Sequence, residues 1–82
     1  MDILRHFSDT RTGLGRVRFL LAGGAGEGAV VLCAEGPGWQ HQSEHASLED
    51  AALLLAFLPQ VPQALYTASL DDLQRRLHAE AA

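Results

Sequence analysis

One segment, Ser47 to Leu58, constrains the fold of this chain more than any other part of the sequence. It reads SLEDAALLLAFL. Ser47 can accept a backbone N–H bond at a helix N-terminus, and Asp50, three residues on, is placed to return that bond in a capping box. Pro59 ends the helix, because proline has no N–H to donate. No polar stripe remains after the first turn, so the sequence predicts a helix that is buried on most sides.

The rest of the chain is small for such a helix. Its 82 residues are 48% hydrophobic and 20% charged, which predicts one folded domain over residues 1–82. A domain of this size buries only about 60 to 65% of the surface of its unfolded chain. We therefore expect part of the apolar helix to bind a protein partner or a second copy of the chain, and a symmetric homodimer is the simplest form. The predicted interface residues are Leu54, Leu55, Phe57 and Leu58.

Three segments have the pattern of strands. From Arg16 to Leu21, the set Arg16, Arg18 and Leu20 alternates with the apolar set Val17, Phe19 and Leu21, which indicates a strand with one buried face. Ala29 to Ala34 is a continuous apolar run after a glycine, typical of a central strand. Trp39 to His45 would place the tryptophan and both histidines on one face, and its polar content predicts an edge strand, with an extended loop as the alternative.

The remaining segments are connections and a second helix. Met1 to Phe7 fits a short helix or an edge strand. The segments 8–15, 23–28 and 36–38 have the composition of loops and turns. Residues 59–62 predict a rigid connector, and 64–67 predict either a short strand or part of that connector. Ser69 repeats the cap of Ser47, because TASLDD matches HASLED, and so predicts the start of the last helix.

In that last helix, an apolar stripe predicts a helix that covers the core with one side and faces solvent with the other. The stripe consists of Leu70, Leu73 and Leu77. Asp71 and Asp72 are expected in its first turn, each with an arginine four residues on. The predicted fold class is α+β: a small antiparallel sheet of three to four strands with two C-terminal helices packed on one face.

Two histidines are the best metal candidates in the sequence, namely His41 and His45, with Cys33 and Glu44 nearby. On a strand, however, residues four apart lie about 13 Å apart, which is too far for one ion bound to two nitrogens. A zinc site also prefers four ligands, and the chain has one cysteine. The alternative function is therefore a metal- or small-ligand-binding accessory protein that uses the face of Trp39, His41 and His45.

Other chemistry finds little support in the sequence. The glycine-rich GGAGEG precedes a strand pattern and lacks the lysine of a phosphate-binding loop. Cys33 lies in the most apolar strand, where a buried and inert side chain is the ordinary interpretation. Paired carboxylates at 49–50 and 71–72 are explained by helix capping. No motif requires catalysis and no cofactor is predicted.

Charge and targeting signals limit the partners. Arg11, Arg16 and Arg18 form the basic cluster, but the chain has a net charge of −4 and no lysine, so nucleic acid is an unlikely partner. No apolar stretch is long enough for a membrane span, and the N-terminus lacks the core of a signal peptide, so a cytoplasmic location is expected. The absence of lysine and asparagine indicates a G/C-rich coding genome, and we predict a bacterial source.

Overall fold

The computed structural model describes residues 3–23 and 29–81. These residues form four strands and two helices in chain order: β1 (Ile3–Thr12), β2 (Gly15–Gly23), β3 (Ala29–Gly36), β4 (Trp39–His45), α1 (Leu48–Phe57) and α2 (Gln63–Ala81). Each strand pairs antiparallel with the next, giving the order β1-β2-β3-β4. The predicted α+β class, with an antiparallel sheet and two C-terminal helices, is confirmed.

The core lies between one face of the sheet and the two helices. Helix α1 packs on β3 and β4, while α2 packs mainly on β1 and also on β2. Alternate residues of the central strands point toward the helices because the side chains of a strand alternate between its two faces. The buried core residues are Val17, Phe19, Val30, Leu32, Ala34, Ala51, Leu55, Leu65 and Leu73.

The predicted strands β2, β3 and β4 are confirmed, and β4 is an edge strand as expected. The turn predicted at residues 36–38 is present at Pro37 and Gly38, where the positive φ of 79° at Gly38 suits a residue without a side chain. At Gly36 a side chain would overlap the indole ring of Trp39, so this ring lies directly against the backbone of β3. The turn predicted at residues 23–28 falls mostly on residues 24–28, which lie outside the described part of the chain.

The prediction for the N-terminal region is partly wrong. A loop was expected from Ser8 to Gly15, but β1 continues to Thr12 and the turn is confined to Gly13 and Leu14. The register between β1 and β2 shifts between His6 and Ser8, which marks a β-bulge. As a result Phe7 packs against the core and Ser8 is buried, although they are consecutive. Ser8, Thr10 and Thr12 belong to a strand in spite of their loop-like composition, because β2 supplies their pairing partners.

Helix α1 begins at the predicted cap. Ser47 has extended backbone angles, and its Oγ accepts a hydrogen bond from the backbone N–H of Asp50 at 3.0 Å. The second half of the predicted capping box is wrong, because the Asp50 carboxylate bonds to His45 instead of returning to Ser47. Leu58 caps the C-terminal end, and Pro59 follows it.

Replacing Ser47 with alanine should lower the free energy of unfolding by about 1 kcal/mol, because one N–H of the first turn loses its acceptor. Urea unfolding followed by circular dichroism measures this loss. Ser47→Asp is the matched control, since aspartate also caps helices and should retain most of the stability. Equal losses in both variants would contradict a capping role.

The predicted start of the last helix is wrong. Helix α2 begins at Gln63, immediately after Pro62, whose carbonyl accepts the N–H of Tyr66 at 3.0 Å. The segment 64–67, predicted as a strand or connector, is therefore helical. Ser69 is not a cap: it is buried within the helix, and its hydroxyl donates to the carbonyl of Tyr66 at 2.9 Å. A hydroxyl bonded one turn back is a common arrangement inside helices.

Candidate functional site

Strand β4 carries the candidate polar site. Its side chains alternate between the two faces of the sheet: Trp39, His41, Ser43 and His45 are half-buried, whereas Gln40, Gln42 and Glu44 are exposed. This is the face assignment that the sequence predicted. Trp39 packs against the core. The two histidines and the serine therefore lie on the side of the sheet that carries the helices.

Four side chains of this region are joined in one hydrogen-bonded chain. His41 Nε2 lies 3.0 Å from Ser43 Oγ, and Ser43 Oγ lies 2.7 Å from His45 Nε2. On the other side of the His45 ring, Nδ1 lies 2.9 Å from Asp50 Oδ2. The His45 side chain is only 9% exposed, while that of Asp50 is 59% exposed. The network thus runs from half-buried residues of β4 to the solvent-facing first turn of α1.

The direction of these bonds follows from the chemistry of the groups. An ionised carboxylate can only accept, so Nδ1–H of His45 donates to Asp50. In the neutral ring, Nε2 of His45 is then an acceptor and takes the hydroxyl hydrogen of Ser43. The Ser43 oxygen can then accept a bond from His41 in the tautomer that carries the ring hydrogen on Nε2. In that tautomer every donor points along the chain toward the carboxylate.

The predicted metal ligands His41 and His45 are brought together more closely than their separation along β4 suggested. Both Nε2 atoms face the same hydroxyl oxygen. Cys33 pairs with Gln42, and so lies on the opposite face of the sheet together with Glu44. Within residues 3–23 and 29–81, no three side chains of the metal-binding types gather around one point.

A metal site at His41 and His45 stays a prediction, and a thermal-shift titration with Zn²⁺ or Ni²⁺ tests it. Binding should raise the melting temperature of the native chain, whereas the melting temperature of His45→Gln should not respond to the ion. A melting temperature that is insensitive to either ion would count against the site.

Two arginines of the basic cluster, Arg16 and Arg18, are engaged by acidic residues. Arg16 makes a bidentate pair with Asp9, at 2.9 and 2.7 Å. Arg18 reaches Glu35 at 3.4 Å on the neighbouring strand. These pairs lie on the face of the sheet opposite the helices, since Asp9 is the cross-strand partner of Arg18 and alternates with the buried Ser8. The expectation that nucleic acid is an unlikely partner remains a prediction.

Hydrogen bonding from Arg16 lowers the pKa of Asp9 below its ordinary value of 3.8. Because the pKa of Asp9 is lower in the folded chain than in the unfolded chain, the pair stabilises the fold at every pH above the unfolded pKa. This contribution is lost as the pH falls through the pKa of Asp9 in the folded chain. Nuclear magnetic resonance titration should therefore place the Asp9 midpoint below 3.8 in the native chain. Arg16→Gln should raise the midpoint toward 3.8, whereas Arg11→Gln should leave it in place. An unchanged midpoint in Arg16→Gln would contradict the cause.

The helices present a second candidate surface, which is apolar. A groove of about 490 Å³ runs between α1 and α2 and is lined mainly by apolar side chains, including Leu48, Leu53, Tyr66 and Leu70. Leu53 in the groove is 57% exposed, and Phe57, which lies one turn further along α1, is 78% exposed. The expectation that α1 is buried on most sides is therefore wrong. Only Ala51 and Leu55 are fully buried, because the sheet covers one side of the helix.

The four predicted interface residues are placed differently. Phe57 is largely exposed, and Leu54 and Leu58 are partly buried. Leu55 is 1% exposed and belongs to the core, so it offers no surface in the single chain. Leu53 is not one of these four residues, although it belongs to the same uninterrupted apolar run and is 57% exposed. The interface itself stays a prediction.

Neither a family model, nor a curated protein, nor a solved structure matches this chain. Neither described helix is long and apolar enough to cross a membrane.

Proposed function

We propose that this chain is a small protein-binding module that acts by self-association, and that the partner is a second copy of the chain. The observation that carries the proposal is the exposure of Phe57, at 78%, on a helix that lies beside a free sheet edge. Large aromatic side chains left in water on a small domain are typical of interaction sites. The proposal includes the cytoplasmic location expected from the sequence.

The exposed side of α1 begins next to β4 and extends away from the core. Asp50, Leu54 and Phe57 are spaced four and three residues apart, so they lie along one side of the helix. Asp50 contacts His45 of β4. Asp50 and Leu54 therefore lie toward the β4 edge, while Phe57, one turn after the groove residue Leu53, points outward between that edge and α2.

The β4 edge has the features of a strand that pairs with another chain. β4 is the last strand of the sheet, so its outer edge has no partner among the described residues. Its sequence, WQHQSEH, contains no proline, lysine or arginine, and the β3–β4 register is regular. The other edge, β1, carries a bulge and the charged residues Asp9 and Arg11, which are common protections against edge pairing.

The sequence of β4 is compatible with pairing to itself. In an antiparallel arrangement centred on Gln42, each Gln40 stands opposite Glu44 of the second copy, and Gln42 stands opposite its own equivalent. No like charges meet, and amide side chains can bond to the groups opposite them. Such pairing would extend the sheet across the dimer and bring the two α1 helices together through Phe57 and Leu54.

Light scattering after size exclusion tests the proposal, with the expectation of a dimer at micromolar concentration. Phe57→Ser should weaken the dimer at least tenfold without unfolding the chain, because the side chain is exposed. Leu14→Ser is the matched control: Leu14 is 43% exposed but lies in the β1–β2 turn, away from the β4 edge. A monomer at all accessible concentrations, or equal weakening by both substitutions, would overturn the proposal.

A further inference from the structure

We propose that Ser43 is an activated nucleophile, and that the chain can accept an acyl group from small activated esters through a triad of Ser43, His45 and Asp50. This inference is independent of self-association, because the three residues belong to one chain. It starts from the hydrogen-bonded chain on β4, which joins a hydroxyl, an imidazole and a carboxylate within eight residues of sequence.

The geometry is that of a nucleophile, a general base and an orienting carboxylate. The Ser43 oxygen lies 2.7 Å from Nε2 of His45, within the range for proton transfer. Asp50 holds the opposite nitrogen, Nδ1, at 2.9 Å, which fixes the tautomer with a free Nε2. The same order of atoms, from carboxylate to Nδ1 and from Nε2 to the hydroxyl, makes serine reactive in hydrolases of unrelated fold.

A second imidazole supplies a donor on the other side of the hydroxyl. His41 Nε2 lies 3.0 Å from Ser43 Oγ and donates to it in the tautomer that carries the ring hydrogen on Nε2. During attack on an ester, negative charge develops on the carbonyl oxygen next to the new bond. His41 is therefore placed to transfer its hydrogen bond from Oγ to that oxygen.

The position of the site is compatible with access by a small reagent. Ser43 is half-buried, and Asp50 is mostly exposed beside it. The burial of His45 limits the competition of water for its nitrogen atoms. The reacting group therefore lies at the margin of the core and not inside it.

The chemical step is balanced with the residues present. The Ser43 oxygen forms a bond to the ester carbonyl carbon while its proton passes to Nε2 of His45. The bond between that carbon and the alcohol oxygen then breaks, and His45 returns the proton to the departing alcohol. Water, activated by His45 in the same way, releases the carboxylic acid and restores the hydroxyl. With a fluorophosphonate reagent, the oxygen displaces fluoride from phosphorus and the adduct is stable.

The test uses the full chain and a fluorophosphonate reagent, with the adduct located by peptide mass spectrometry. One adduct on Ser43 is expected, and Ser43→Ala should abolish it. His45→Gln should lower the labelling rate by about 100-fold, since a general base contributes about 10² to 10⁴. The matched control is Ser69→Ala, which removes another serine hydroxyl, one that donates to the carbonyl of Tyr66 in α2 and meets no imidazole. This variant should label at the native rate.

Asp50 is a positioning residue, and its effect should differ from that of general destabilisation. Asp50→Asn should lower the maximal labelling rate at saturating reagent and leave the half-saturating concentration unchanged. Because Asp50 is mostly exposed, this variant keeps the test valid if His45→Gln does not fold. An unlabelled native chain, an adduct on any other residue, or native rates in both His45→Gln and Asp50→Asn would overturn the proposal.

Discussion

Replacing Leu55 with alanine should lower the free energy of unfolding by about 2 to 5 kcal/mol, the cost of removing a buried leucine side chain from a packed core. Leu55 is 1% exposed and lies in the same buried cluster as Phe19, Leu32 and Leu65. These neighbours belong to the sheet and to α2, so they can only partly close the space that the substitution leaves. Urea unfolding of dilute protein, followed by circular dichroism, measures the loss.

Leu53→Ala is the matched control, because it makes the same change in the same helix at a residue that is 57% exposed. Its effect on the free energy of unfolding should stay within about 0.5 kcal/mol. Equal losses in the two variants would contradict the inward orientation of Leu55. A silent Leu55→Ala that weakened self-association would instead assign Leu55 to the interface.

Replacing Asp72 with alanine should lower the free energy of unfolding by about 1.5 to 3 kcal/mol, the range for a hydrogen bond to a charged group. The hydroxyl of Ser8, which is 2% exposed, donates to Asp72 Oδ2 at 2.6 Å. This bond attaches α2 to β1 across a separation of 64 residues in sequence. Without the carboxylate, a buried hydroxyl is left with no acceptor, and that penalty is larger than the loss of the ion pair with Arg76.

Asp71→Ala tests whether this loss is specific to the buried bond. Asp71 is the preceding residue, it is exposed, and it pairs with Arg75 at 3.2 Å on the helix surface. A surface pair four residues apart contributes about 0.3 to 0.5 kcal/mol, so the expected loss is small. A double-mutant cycle of Ser8→Ala with Asp72→Ala should give a coupling energy of about 1 kcal/mol or more. Zero coupling would contradict the contact.

Local patterns predicted the central part of this fold because local physics decides it. The alternation in β2, the apolar run of β3 and the cap at Ser47 each depend on residues that are close in sequence. The same reasoning located the face of β4 that carries His41 and His45. These segments keep their predicted structure because packing reinforces the preference that each already has.

The ends of the chain were mispredicted where tertiary contacts outweigh composition. Ser8 to Thr12 has the residues of a loop, but pairing with β2 and the bond to Asp72 hold it as a strand. In α2, the cap-like Ser69 obscured a longer inward stripe, formed by Leu65, Ser69 and Leu73 at intervals of four residues. With Ser69 as a member of that stripe, the pattern is that of a helix which begins directly after Pro62.

The polar site could be predicted only in part. The sequence indicated that the two histidines share a face, but the bond between His45 and Asp50 depends on where α1 packs relative to β4. The sequence predicts only a capping role for Asp50, and its backbone N–H does bind the capping residue Ser47. Its carboxylate, however, binds His45 of the polar site. One residue thus has two roles, and only the role within its own helix is visible in the sequence.

The contact between Trp39 and Gly36 determines what intrinsic fluorescence can report for this protein. Trp39 is the one tryptophan of the chain, and its indole covers the backbone at the turn between β3 and β4. Emission will therefore follow the opening of this hairpin, while far-ultraviolet ellipticity follows mainly the two helices. Thermal melts recorded by the two signals will coincide if the hairpin and the helices unfold as one cooperative unit.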